Sequence, residues 1–196
     1  MEDCHHGIWK FRVLSLCGGV CIIGQPTMFR IIILIMLFLP AAALSEENPH
    51  YVKGMELLDD NNYRGAEKEF LIFLKDVPAS SRAHNTLGFI YYKLGENEKA
   101  ARNYKQAIAL DSGYAIAHNN LGILYYHGGA YENAKKCFEK AIEHNPLYAK
   151  AMINLGLVYL NTGDKKSAKT MCLRAKEADK EYVRERERSA RKRKYH

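Results

Sequence analysis

Small and apolar residues recur at an interval of 34 residues between residues 47 and 180. A glycine, an alanine, a leucine and a tyrosine keep this interval without insertion, and the glycines are Gly54, Gly88, Gly122 and Gly156. Because a fixed interval of about 20 to 50 residues is typical of repeat architectures, the pattern predicts repeated units. The four units are 47–80, 81–114, 115–148 and 149–180, and positions are counted from the first residue of each.

Each unit is predicted to form two α-helices joined by a turn at position 15. The residues at this position are Asn61, Gly95, Gly129 and Gly163. Glycine and asparagine tolerate the left-handed conformation that ends a helix. Small residues at positions 8 and 20 should let the paired helices approach closely, with an aromatic residue at position 24 filling the remaining space. Pro78 and Pro146, at position 32, should end the second helix.

Two internal segments, AHNTLGFIYYKLGENEKAARNYKQAIALD and AHNNLGILYYHGGAYENAKKCFEKAIEHNP, carry these positions almost completely. They resemble the tetratricopeptide (TPR) repeat, and the resemblance covers residues 47–180. It implies an all-α fold, a right-handed superhelical solenoid of helix–turn–helix repeats. The outer units depart from the pattern, with Lys53 and Leu57 in the first and Cys172 and Lys180 in the fourth. Atypical terminal units are expected where a solenoid must be capped.

The segment 1–45 has the pattern of a targeting sequence. Residues 31–39 are nine apolar residues in succession, preceded by Arg30 and followed by Pro40 and small residues. A basic residue, an apolar stretch of this length and small residues after it are typical of a secretory signal peptide. We therefore expect an exported protein, in a bacterial periplasm or elsewhere in the cell envelope.

The start and the processing of this segment allow alternatives. We expect Met28 to be the biological start, and cleavage after Ala43 or Ser45 would satisfy the need for small side chains. Residues 31–44 supply fewer than the roughly 20 apolar residues of a membrane span. An uncleaved membrane anchor is the alternative to a cleaved signal peptide.

The positive charge of the chain is concentrated at its C-terminal end. The net charge is +7, and residues 181–196 hold seven Lys or Arg against three Glu. The repeats are nearly neutral, so no nucleic-acid partner is expected. We predict a basic capping helix and tail over 181–196, in which Tyr182 and Val183 cover the exposed face of the last repeat. A contact between this helix and anionic lipid is the alternative.

The TPR resemblance also implies a binding groove, lined by positions 2, 5, 6, 9, 12 and 13 of the first helices. The candidate groove residues are Arg82, Asn85, Phe89, Tyr92, Asn119, Asn120, Tyr126, Lys150 and Asn154. Asparagine side chains offer a donor and an acceptor to a peptide backbone, and aromatic residues add apolar contacts. Asparagine at position 6 can alternatively serve helix packing. The charged clamp that some TPR proteins use for a chaperone tail is incomplete, because Asn85 and Asn154 stand where it needs Lys and Arg.

The histidine and cysteine residues do not form a pattern typical of catalysis. His50, His84 and His118 share position 4, but stacked helices point such residues in parallel directions, so no metal site is expected. Cys137 and Cys172 are out of register, which predicts two unpaired thiols, with Cys172 buried. No cofactor and no small-molecule substrate are expected, and the chain is predicted not to be an enzyme.

These observations predict a non-catalytic interaction scaffold in a cell-envelope assembly. Its partner would be a protein, held by a peptide segment or a helix in the concave groove. The alternative is a membrane-anchored adaptor whose basic C-terminal helix contacts anionic lipid.

Overall fold

The computed structural model describes residues 14–16, 19–21 and 48–194 of the 196-residue chain. The chain divides into two compact units, Met1–Ala41 and Ala42–His196. In the first unit, strands β1 (Leu14–Leu16) and β2 (Gly19–Cys21) pair antiparallel. The apolar run 31–39, on which the predicted signal or anchor depends, lies outside the described residues.

The described part of the second unit consists of eight α-helices that form four hairpins, one for each predicted repeat. The helices are α1 (Pro49–Asp59), α2 (Tyr63–Asp76), α3 (Ser81–Lys93), α4 (Asn97–Leu110), α5 (Ala115–His127), α6 (Tyr131–His144), α7 (Ala149–Asn161) and α8 (Lys165–Lys194). The predicted all-α fold is confirmed for this unit. Among the helices described, none is both long and apolar enough to cross a membrane.

The hairpins stack on one another in the order of the sequence. The two helices of each hairpin pack together, and the second helix of each of the first three then packs on the first helix of the next. The first helices α3, α5 and α7 also touch their neighbours directly. Two clusters of buried apolar side chains run through the stack, each drawing residues from more than one hairpin. This is the arrangement of the predicted solenoid.

Helix starts and ends follow local sequence signals. Asn48 and Ser80 cap α1 and α3, their side-chain oxygens accepting from the amides of His50 and Ala83 at 2.9 and 3.2 Å. Helices α2 and α6 end two residues before Pro78 and Pro146, respectively, as predicted.

The turn at position 15 adopts the left-handed conformation in every hairpin. The φ angles are 57° at Asn61, 77° at Gly95, 74° at Gly129 and 86° at Gly163. Residues with a Cβ atom rarely adopt this conformation, and asparagine is one of the few that do so readily. The predicted helix–turn–helix unit is therefore confirmed at its turn.

The helices of the first three hairpins cross where a glycine faces an aromatic ring. A Cβ atom added to Gly88 would lie 2.7 Å from the ring of Tyr104, and one added to Gly122 would lie 2.6 Å from Phe138. Both rings are almost fully buried. In the fourth hairpin, Gly156 faces Cys172 and a Cβ atom there would meet nothing closer than 3.5 Å. The predicted close approach is thus tightest where position 24 is aromatic.

The C-terminal end differs from the prediction in three respects. Helix α8 continues through the predicted boundary at residue 180, where Lys180 stands in place of the proline that follows α2 and α6. Tyr182 and Val183 are 51% and 53% exposed, so they do not cover the last repeat. Cys172 is exposed and not buried as predicted, because among the described residues no helix packs over α8 in the way that α3, α5 and α7 pack over α2, α4 and α6.

Candidate peptide-binding groove

The first helices present a row of exposed apolar side chains at position 9. The row consists of Met55, Phe89, Ile123 and Leu157, one from each hairpin. Met55, Phe89 and Leu157 are between 37% and 41% exposed, and Ile123 is half-buried. Positions 3, 7 and 10 of α3, α5 and α7 are buried, so position 9 lies on the opposite face of each helix. We call this row the central row.

A cavity of about 480 Å³ opens where α1, α3 and α5 present this face. Its lining includes Met55 and Phe89 of the central row, with Leu58, Asp59, Asn85, Thr86, Lys93 and Asn120 around them. The Lys93 ammonium lies 5.4 Å from the centre of the Phe89 ring, a distance at which a cation is attracted to the ring face. The cavity therefore combines an apolar centre with polar groups at its rim.

The predicted asparagine residues bond to one another across neighbouring hairpins. Asn120 Nδ2 donates to Asn85 Oδ1 at 3.0 Å, and Asn154 Nδ2 donates to Asn119 Oδ1 at 2.9 Å. Asn85 is 8% exposed and Asn119 is 4% exposed. Each bond joins position 5 of one hairpin to position 6 of the next. These amides therefore connect the stacked hairpins, and part of their bonding capacity is already used.

The remaining predicted groove residues are more accessible. Tyr126 Oη accepts from Asn161 Nδ2 at 2.6 Å, a further contact between hairpins. Tyr92 is half-buried, with its ring centre 6.2 Å from that of His127. Arg82 and Lys150 are exposed.

The first hairpin supplies groove residues outside the predicted set. Met55 and Leu58 line the cavity with Phe89, although the first unit matches the repeat pattern poorly. The 34-residue interval itself could have predicted the role of Met55, because Met55 stands at the same position as Phe89 and Leu157. The groove thus begins at α1.

The histidine residues at position 4 bond to different partners. His50 Nδ1 lies 2.7 Å from Glu69 Oε2. This hydrogen bond is the main cause that lowers the pKa of Glu69, and the charge of Lys53 lowers it further. His84 lies within hydrogen-bond distance of the side chain of Asn103 and the carbonyl oxygen of Pro78. His118 bonds the Ser112 carbonyl oxygen and stacks on His144. Each of these histidines therefore has its own partner outside its helix.

The two cysteine residues of the repeats are both free thiols, as predicted. Burial raises the pKa of Cys137 to about 11, so its thiol stays protonated at neutral pH. Within the part of the chain that the structure describes, no cluster of three or more His, Cys, Asp or Glu side chains has the arrangement needed to hold a metal ion.

Stacked helical hairpins with a left-handed residue in each turn define a helical-repeat protein. A family model described as "TPR repeat" matches residues 88–129, and three described as "Tetratricopeptide repeat" match residues 51–101, 115–148 and 137–170. Together these matches extend from residue 51 to residue 170. The chain belongs to the tetratricopeptide-repeat family.

Solved structures with the same fold include three of interest. The crystal structure of MamA is 24% identical, with a TM-score of 0.62, and the match covers 73% of this chain and 86% of that chain. The structure of pilF from Pseudomonas aeruginosa is 25% identical in sequence, with a TM-score of 0.65, and the match covers 72% of this chain and 64% of that chain. The first TPR of Spaghetti (RPAP3), bound to the HSP90 peptide SRMEEVD, is 21% identical in sequence, with a TM-score of 0.55. That match covers 57% of this chain and 88% of that chain. No curated protein matches the chain in sequence.

Proposed function

We propose that the chain is a non-catalytic scaffold that binds a segment of a partner protein along the central row, within an assembly of the cell envelope. The observation that carries the binding role is the row itself, because exposed apolar side chains repeated on four neighbouring helices form a continuous contact surface. A peptide bound to the TPR of Spaghetti supports this role by analogy. The envelope location is supported by the pattern of residues 30–45.

The spacing of the helices indicates what the partner segment must present. Packed helices lie about 8–10 Å apart, and an extended peptide in the polyproline II conformation rises about 3.1 Å per residue with three residues per turn. Such a partner would therefore place an apolar side chain on the central row at every third residue. A helical partner, rising about 1.5 Å per residue, would do so at every seventh.

The charges at the rim of the groove favour an acidic partner. Arg82, Lys93 and Lys150 are exposed on this face, against Asp59 at its N-terminal end. Opposite charges steer association and fix the orientation of the bound segment. The best-fitting segment thus has apolar residues at a regular interval and acidic residues between them.

Selection of random peptides displayed on phage tests this proposal on the full chain. We expect enriched sequences with apolar residues at an interval of three or seven, and the double variant Phe89→Ala, Leu157→Ala should bind them at least tenfold more weakly. Each truncated side chain removes about 1.5–3 kcal/mol of the binding free energy that burial of an apolar group supplies. The matched control is Leu71→Ala with Ile72→Ala, two similarly exposed apolar residues on α2. Equal loss in both double variants would contradict a site on the central row.

A second candidate function is a membrane-anchored adaptor whose C-terminal helix contacts anionic lipid. The supporting observation is that α8 extends well beyond Ala178, the last buried residue among its described side chains, and exposes Arg184, Arg186 and Arg188. Basic side chains near an anionic membrane surface contribute about 1 kcal/mol each.

A further inference from the structure

The fourth hairpin has an edge that, in the other three, is covered by the first helix of the next hairpin. We infer that this edge binds one amphipathic helix of a partner protein, which is apolar on one side and acidic on the adjoining side. The edge adjoins the central row at Leu157 of α7, but the inference does not depend on the function proposed above.

The contacts between successive hairpins define what the edge can accept. On the first helices, position 5 meets position 6 of the next hairpin, as in Asn119 with Asn154, and position 12 meets position 13, as in Tyr126 with Asn161.

On the second helices, position 21 meets position 11 of the next hairpin. The Lys135 ammonium lies 5.6 Å from the ring centre of Tyr159. In the same way Glu67 lies near Tyr91, because burial first and the Glu67 carboxylate second raise the pKa of Tyr91 to about 12. Position 28 lies near position 7 of the next hairpin, because Ile142 and Leu155 belong to one buried apolar cluster and line one cavity of about 400 Å³. Four pairs of positions therefore specify the contact between one hairpin and the next.

The fourth hairpin holds two apolar and two basic residues at these positions. Ile153 and Leu160 stand at positions 5 and 12 of α7 and are 46% and 52% exposed. Lys169 and Lys176 stand at positions 21 and 28 of α8 and are exposed. By contrast, position 5 is buried in each of the preceding hairpins. We call these four residues the open edge.

A helix that packs there in the manner of a next hairpin must complement these four side chains. Apolar residues are needed at the equivalents of positions 6 and 13, against Ile153 and Leu160. Acidic residues are needed at the equivalents of positions 7 and 11, against Lys176 and Lys169. Numbered from the first apolar residue p, the partner helix carries an acid at p+1, an acid at p+5 and an apolar residue at p+7. The two apolar residues lie on one face of the partner helix, and the two acidic residues lie on an adjoining face.

A second copy of this chain does not provide this pattern. Helix α1 would bring Lys53 against Lys176, which places two like charges together, and Asp59 against Leu160, which buries a carboxylate on an apolar side chain. Lys53 also lies 3.4 Å from Glu69 within its own hairpin. The charges therefore favour a different protein as the source of the helix.

A synthetic peptide of about 18 residues, long enough to populate a helix in water, provides the test. It carries Leu at p and p+7 and Glu at p+1 and p+5 on an alanine and glutamine background, and fluorescence anisotropy measures its binding to the full chain. We expect binding that falls roughly tenfold or more in Ile153→Asn, Leu160→Asn. We expect a loss of similar size in Lys169→Glu, Lys176→Glu, reversed when the peptide carries Lys in place of its Glu residues.

Four results would overturn the inference. The acidic and basic peptides could bind the native chain equally, or Ile153→Asn, Leu160→Asn could leave binding unchanged while far-UV circular dichroism shows an intact fold. Phe89→Ala could abolish binding, which would place the peptide on the central row. Sedimentation could show a native dimer that Ile153→Asn, Leu160→Asn dissociates, in which case a second copy occupies the open edge.

Discussion

At the scale of single residues, the fold depends on glycines that are placed against aromatic rings. Gly88 and Gly122 leave no room for a Cβ atom, whereas Gly156 does, because Cys172 replaces the aromatic residue opposite it. The sequence predicts these crossings well, since both partners recur at the 34-residue interval. It does not predict that Cys172 is exposed, because burial at position 24 depends on a hairpin that would follow.

Alanine substitutions at Gly122 and Gly156 should have opposite effects on stability. A methyl group at Gly122 lies 2.6 Å from a ring carbon of Phe138, and such overpacking costs about 1–3 kcal/mol. At Gly156 there is space, and alanine is favoured over glycine within a helix by about 1 kcal/mol. Urea unfolding followed by circular dichroism should show a lower midpoint for Gly122→Ala and an equal or higher midpoint for Gly156→Ala. A similar loss in both variants would mean that the ring contact does not limit the crossing.

At the scale of secondary-structure elements, neighbouring first helices are joined by paired asparagine side chains. The bonded residues, such as Asn119 and Asn154, are 35 residues apart and not 34. This offset arises because position 5 of one first helix bonds to position 6 of the next, and a sequence interval carries no information about which faces of two helices meet. The helices and their turns could therefore be predicted from the sequence, whereas the bonding partners of the predicted groove residues could not.

Replacing Asn154 with alanine should destabilise the stack. The substitution removes the donor to Asn119 Oδ1, and Asn119 is 4% exposed. Leaving a buried acceptor unsatisfied costs about 1–3 kcal/mol, so the urea midpoint should fall. Asn133→Ala is the matched control, because Asn133 is exposed on the surface of α6. If Asn154→Ala unfolds at the same midpoint as Asn133→Ala, the amide pair contributes nothing to stability and is available to a ligand.

At the scale of the whole molecule, charge is distributed unevenly between the repeats and the C-terminal end. Ala178 is the last buried residue among the described side chains of α8, and Arg184, Arg186 and Arg188 beyond it are exposed. Net charge and its location were readable from the sequence. The continuity of α8 was not, because the prediction placed a boundary after residue 180.

Liposome binding distinguishes the scaffold from the lipid-contacting adaptor. The adaptor predicts that the full chain sediments with vesicles containing phosphatidylserine, that binding weakens steeply between low and high salt, and that truncation after Lys180 abolishes it. The truncation removes only residues beyond the last buried side chain, so circular dichroism of the repeats should be preserved. Vesicles of neutral lipid are the control. Binding to anionic vesicles that survives truncation would exclude the C-terminal helix as the lipid contact.

The asparagine pairs also have a consequence for how such a chain can be lengthened. The same pair of side chains joins the second hairpin to the third and the third to the fourth. A duplicated copy of residues 115–148 inserted after residue 148 would therefore find matching amides on both sides. The first hairpin offers no such match, because Tyr51 and Val52 stand at positions 5 and 6 in place of asparagine. Gene duplication could thus extend this protein from the middle but not from its N-terminal repeat.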